Sequence, residues 1–140
     1  MKSERKTDVA AEALRFTLGG TAFVAGLDKF FNLLTDWDKY ISPIAHENLP
    51  VSDRNFMRLV GVIEMGVGAL ILKGETRLGG YIAGGWLLGI AANLIANRDY
   101  DIAARDVNMA VGAFALAQLS EARRAARPVI KRTFEEQRAA

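Results

Sequence analysis

Hydrophobic residues fall into four long segments separated by polar stretches. The clearest, LGGYIAGGWLLGIAANLIAN from Leu78 to Asn97, runs for 20 residues without a charge. A helix of that length spans about 30 Å, the thickness of a bilayer's hydrocarbon core. The segment FMRLVGVIEMGVGALIL, Phe56 to Leu72, carries Arg58 near its start and Glu64 at its centre. The first segment, LRFTLGGTAFVAGLDKFFNLL from Leu14 to Leu34, has Arg15 at one end and Asp28–Lys29 toward the other. The fourth, DIAARDVNMAVGAFALAQLS, is uncharged only from Val107 to Ser120. It crosses a membrane only if Arg105 and Asp106 sit at one edge.

Large apolar residues each favour insertion by about 0.3–0.6 kcal/mol, whereas a charge at mid-membrane costs about 2.5–3.5 kcal/mol. The two sums nearly cancel in the first segment, so its charges need the interface or a partner. A soluble bundle would need a polar face on every helix, and Leu78 to Asn97 offers none. The pattern predicts an all-α protein, a transmembrane four-helix bundle with spans at about 14–34, 56–72, 78–97 and 103–120. Residues 1–13 precede it, residues 35–55 form an outer loop and residues 121–140 a tail. A soluble helical bundle used for protein binding is the alternative.

Charge orients the bundle. With four spans both ends share a side with the turn KGETR, and that side holds twelve of the 18 basic residues. The opposite side holds five: Lys39, Arg54, Arg58, Arg98 and Arg105. Basic residues stay cytoplasmic, so both termini are expected to be cytoplasmic in a multi-pass protein of a bacterial-type plasma membrane. The start MKSERKTDVAAEA mixes charges and is expected to be retained rather than cleaved.

Composition then narrows the chemistry. The chain has no cysteine and a single histidine, His46. Disulfides, thiol chemistry, iron–sulfur clusters and His-cluster metal sites are therefore excluded, and no metal is expected. The basic run RRAARPVIKR, 123–132, has no aromatic interleaving and no nucleic-acid motif. It is expected to lie on an anionic inner membrane surface, with Pro128 bending or ending the helix before it. In the outer loop, Trp37, Tyr40 and Ile41 suit the membrane interface, and Ser52 and Asp53 are both N-cap candidates. The loop reads first as a plain connection with interfacial aromatics, with a lid over an outward-facing site as the alternative.

The topology gathers the polar residues. Asp28, Lys29, Asn32, Glu64, Asn93, Arg105 and Asp106 all fall in the outer half. Each shares a helical stripe with small residues, and small residues mark helix contacts. The packing candidates are Gly61, Gly68, Gly80, Gly84, Gly85, Gly89 and Gly112. The expected ion pairs join Arg105 to Asp28 or Glu64, and Lys29 to Asp106 or Glu64. Two roles stay open: an ion-pair network that locks the helices, or a polar pocket for a headgroup or protons. The pairs Gly80/Gly84 and Gly85/Gly89 match GxxxG and leave self-association open.

Three pieces in order, LRFTLGGTAFVAGLDKF, VGVIEMGVGALIL and ARDVNMAVGAFALA, resemble the DoxX-like family of small four-helix membrane proteins. The resemblance covers most of residues 14–120 and puts the family's polar positions at Lys29, Glu64, Arg105 and Asp106. It implies a subunit or scaffold of a larger membrane complex, with lipids and other membrane subunits as partners. It implies no intrinsic cofactor and leaves quinone as the one to consider. The alternative it carries is a quinone-linked oxidoreductase component, with Glu64 as proton acceptor and Lys29 or Arg105 on a quinone oxygen.

The charge asymmetry gives a first expected outcome. Protease added to sealed right-side-out vesicles spares a C-terminal tag; cleavage of that tag in intact vesicles would contradict the topology.

Overall fold

The computed structural model describes residues 2–139, and the side chains of residues 5–126. Among the described residues there are five α-helices and no strand: α1 (Lys2–Asp28), α2 (Pro43–Asn48), α3 (Asp53–Leu72), α4 (Thr76–Ala96) and α5 (Tyr100–Ala139). A single 3-10 turn, Trp37–Tyr40, lies between α1 and α2.

The ends of these helices follow from local chemistry. The first apolar segment was expected to stay helical to Leu34, but α1 stops at Asp28. The Asp28 carboxylate turns round to accept hydrogen bonds from the Leu33 and Leu34 amides at 2.9 and 3.0 Å. Asn32, at φ 53°, makes the left-handed step that this needs; asparagine tolerates such a step better than most residues. Ser52, not Asp53, caps α3, its hydroxyl accepting from the Asn55 amide. Gly74, at φ 102°, closes the short turn into α4, where a side chain would be strained. Pro128 does not end α5, whose backbone stays helical to Ala139. The side chains of the basic run beyond residue 126, and their expected contact with lipid, lie outside the described residues.

Long helices pack as two antiparallel pairs, α1 with α3 and α4 with α5. In each pair the backbones nearly touch. A Cβ at Gly26 would stand 2.6 Å from the Gly61 carbonyl oxygen, and one at Gly68 would stand 2.7 Å from that of Gly19. Across α4 and α5, a Cβ at Gly80 would lie 2.7 Å from the Ala113 carbonyl oxygen, and one at Gly84 would lie 2.6 Å from the Phe114 ring. Gly61, Gly68, Gly80 and Gly84 are thus packing residues, as the spacing predicts. Gly85 and Gly89 are not: a Cβ on either meets nothing within 4 Å. They lie five residues beyond Gly80 and Gly84, well round the helix from the α5 face. Gly112 is intermediate, with the Leu14 and Leu18 side chains 3.9 Å away.

The two pairs meet mainly at their inner end. Ala11, Leu18, Val67, Ile71, Ala83, Ala113 and Leu116 form the core there. Below it, polar contacts tie the ends together: Thr76 Oγ1 to Ser120 Oγ at 3.1 Å, Arg77 to Glu121 at 2.9 Å and Asp8 to Arg123 at 2.8 Å. The outer end is covered by the loop. Ile41 is buried with Met57 and Val60, against Trp37, Ala45, Leu49, Phe56 and Trp86.

Close packing of α1 on α3 has a measurable consequence. Gly61→Ala forces the two backbones apart and should lower stability in detergent by about 1–3 kcal/mol. Gly66→Ala meets nothing within 4 Å and should be neutral or mildly stabilising through its better helix propensity. Thermal unfolding of the two variants side by side checks this; equal effects would refute the contact.

Candidate functional site

The contact between Gly26 and Gly61 positions two buried charges of opposite sign. A Cβ at Gly26 would sit 2.9 Å from the Glu64 Cβ, and one at Gly61 would sit 3.1 Å from the Lys29 Cβ. Lys29 and Glu64 therefore leave their backbones on either side of the same crossing. Their heads meet, Lys29 Nζ donating to Glu64 Oε2 at 2.5 Å, with side chains only 5% and 10% exposed. The ammonium also lies 3.8 Å from the centroid of the Trp37 ring, a favourable cation–π placement.

Trp37 is held there by Asp28. Its indole Nε1 donates to Asp28 Oδ2 at 2.8 Å. Asp28 was expected to pair with Arg105, but its oxygens are taken by Trp37 and the two loop amides. Its work is to fold the loop back and set an aromatic ring over Lys29. Asn32 lies in that loop, donating to Asp36 at 3.2 Å, and does not join the pair.

Arg105 and Asp106 find each other. Arg105 Nη2 and Nε reach Asp106 Oδ1 at 2.8 and 2.9 Å. The two differ sharply in burial: 57% of the Arg105 side chain is exposed against 5% of Asp106. The inward stripe of α5 is the one containing Ala103, Asp106, Ala110, Ala113 and Ala117. Of the stripe Arg105, Asn108, Gly112 and Ala115, expected to face inward, Gly112 is half-buried and the other three are exposed. One residue of offset is 100° on a helix, and alanine appears on both faces, so the pattern does not separate them.

Asn93 has a different task from the others. Its Nδ2 donates to the Tyr40 carbonyl at 2.6 Å, and its Oδ1 accepts from the Ser42 amide at 3.1 Å. Asn97 adds a bond to the Lys39 carbonyl at 3.0 Å. Together they latch the outer loop onto the end of α4.

Under this loop and between the two helix pairs lies a cavity of about 890 Å³, within the range of small-molecule sites. Lys29, Glu64, Asn93, Arg105 and Asp106 line its outer part, with Trp37, Tyr40 and Trp86. Leu18, Ala22, Val60, Val67, Ile82 and Met109 make apolar wall. Trp86 is the residue that sequence reasoning missed. It stands in an uncharged helix with no periodic signal, yet its buried indole nitrogen lies beside Glu64 without reaching a hydrogen-bond partner. Trp37 was read as an interfacial anchor; the Asp28 hydrogen bond draws it inward. Among the described residues no group of His, Asp and Glu could hold a metal ion.

Comparison with family models, curated proteins and solved structures finds no significant match to the chain.

The buried pair makes a sharp prediction. Lys29→Met or Glu64→Leu alone strands a charge and should cost about 3–5 kcal/mol, whereas the double variant should recover most of the loss. Unfolding in detergent across the full mutant cycle measures the coupling. A double variant no more stable than the worse single would show that the pair is not what these residues satisfy.

Proposed function

We propose that this chain is a small integral membrane protein with four spans and both ends cytoplasmic. In this reading it acts as a DoxX-like subunit of a larger complex in a bacterial plasma membrane and holds a quinone-type ligand under its outer lid. The observation that carries the membrane part is an inverted distribution of polarity. Lys29, Glu64 and Asp106 are buried, while Phe16, Phe23, Val24, Leu27, Leu59, Val62, Leu88, Ile95 and Val111 are exposed. Two helices, α3 and α4, are long and apolar enough to cross a membrane, yet only 39% and 33% of their apolar windows are buried inside the protein. The core helix of a soluble protein would be mostly buried. Exposed apolar surface on this scale needs a covering, and lipid covers every face at once. That weighs against the soluble bundle.

The ligand part rests on the cavity. A quinone needs donors for its carbonyl oxygens and apolar walls for its ring and tail. Trp86, on the cavity wall, sets its indole ring beside the Glu64 carboxylate. Arg105 offers the guanidinium N–H groups that Asp106 does not use. Lys29 and Glu64 are paired, so the ligand is not needed to neutralise them. The chain contains no cysteine, so a bound quinone would supply the redox chemistry that its side chains lack. A second reading, in which the chain is itself part of an oxidoreductase with Glu64 accepting a proton, is favoured by the carboxylates of Glu64 and Asp106 on the cavity wall.

Purification in mild detergent tests the proposal. The protein should require detergent, bring partner chains with it and yield an ultraviolet-absorbing quinone on solvent extraction. Trp86→Phe should lower the quinone yield while leaving partner chains in place. A chain that stays monodisperse without detergent would refute the membrane reading, and a quinone-free extract would refute the ligand.

A further inference from the structure

Four seams separate the long helices, and two are shut by close backbone contact. Backbone contacts close α1 against α3 and α4 against α5. Between α3 and α4, Gly79 closes the inner end on Ile71 and the loop covers the outer end with Ile41, Trp37 and Ala45, while Ile82, Gly85 and Gly89 of the cavity wall are exposed between them. The seam between α1 and α5 is different. It is closed inward of Leu18 and Gly112, but further out it holds a groove of about 580 Å³. Along this stretch no hydrogen bond or ion pair joins the two helices among the described residues. Thr17, Asp101, Ala104 and Asn108 line the groove and are exposed.

Arg105, Leu18 and Met109 line both this groove and the central cavity. They form the partition between the two. Leu18 and Met109 are flexible apolar side chains. Arg105 is held from one side only, by Asp106, and its Nη1 has no partner.

We infer that the α1/α5 seam is a lateral entrance from the outer leaflet. Its groove holds the apolar tail of an amphiphile whose headgroup passes Arg105 into the cavity. This rests on reading the chain as a membrane bundle with a ligand cavity. Charge defines the headgroup. Asp101, Arg105 and Asp106 sum to one negative charge at the partition, and Lys29 cancels Glu64. A further anion is disfavoured there, while a neutral headgroup with acceptor oxygens meets the free guanidinium N–H of Arg105 beside the Trp86 ring. Leu14, Leu18, Met109 and Ala104 suit a hydrocarbon tail.

The absence of cysteine makes the test clean, as does the presence of two tryptophans, Trp37 and Trp86, both on the cavity wall. Trp37→Phe keeps an aromatic ring for Lys29 and leaves Trp86 as sole reporter. In that background, Thr17→Cys with Asn108→Cys allows the seam to be locked by a bifunctional thiosulfonate and reopened by reductant. The full chain is placed in nanodiscs of phosphatidylcholine with brominated acyl chains, which quench tryptophan at close range. Trp86 fluorescence should be quenched with the seam open, lose that quenching when it is locked and regain it on reduction. Gly112→Leu, which fills the groove without a cross-link, should also lose it. Equal quenching in locked and open protein, or none in open protein, overturns the entrance. A quinone-free solvent extract with lock-sensitive quenching would instead remove the quinone and keep the entrance.

Discussion

Everything in the outer half depends on the contact between two backbones at Gly26 and Gly61. Only glycine allows α1 and α3 so close, and only at that separation do Lys29 and Glu64 reach each other from opposite sides of the crossing. Buried as both side chains are, the pairing is what makes either charge tolerable. The aromatic ring above Lys29 is placed by Asp28, and the loop is bent by the same carboxylate. Remove the close approach and the ion pair, the ring and the bend lose their common frame.

The cavity is a by-product of that economy of contact. Helices joined through glycine and alanine bury little side-chain volume, so each pair is a thin, stiff slab. The slabs share larger side chains at the inner end, around Ile71 and Leu116, the largest fully buried side chains, and at the outer end around Met57 and Trp86. Between those ends they are held apart by polar groups that need room. A hollow with charged fittings and oily walls is the geometric result.

Much of this could be read from residue order. The four apolar segments locate the long helices because an uncharged run such as Leu78 to Asn97 has few other uses. Lys29 and Glu64 could be nominated because a charge among glycines must find a partner. What escaped was direction. Arg105 and Asp106 are adjacent, and a helix sends neighbours 100° apart, so one is buried and the other largely exposed. With alanine on both sides of α5, nothing in the pattern says which. Gly85 and Gly89 misled for the same reason, since GxxxG spacing fixes a stripe without saying what lies against it. The inward fold of Trp37 depends on the Asp28 carboxylate nine residues away at the end of α1, a contact with no periodic signature at all.

The latch that keeps the lid down reads main chain rather than side chains. Asn93 and Asn97 bind the carbonyls of Tyr40 and Lys39 and the amide of Ser42. Every residue type except proline, which lacks the amide, carries these same groups. Lid identity and lid attachment are therefore separable. The exposed side chains of the loop can be exchanged, changing the surface offered to the outside, while the closure beneath keeps its hydrogen bonds. A protein built this way can change what it shows to its surroundings without reopening what it holds.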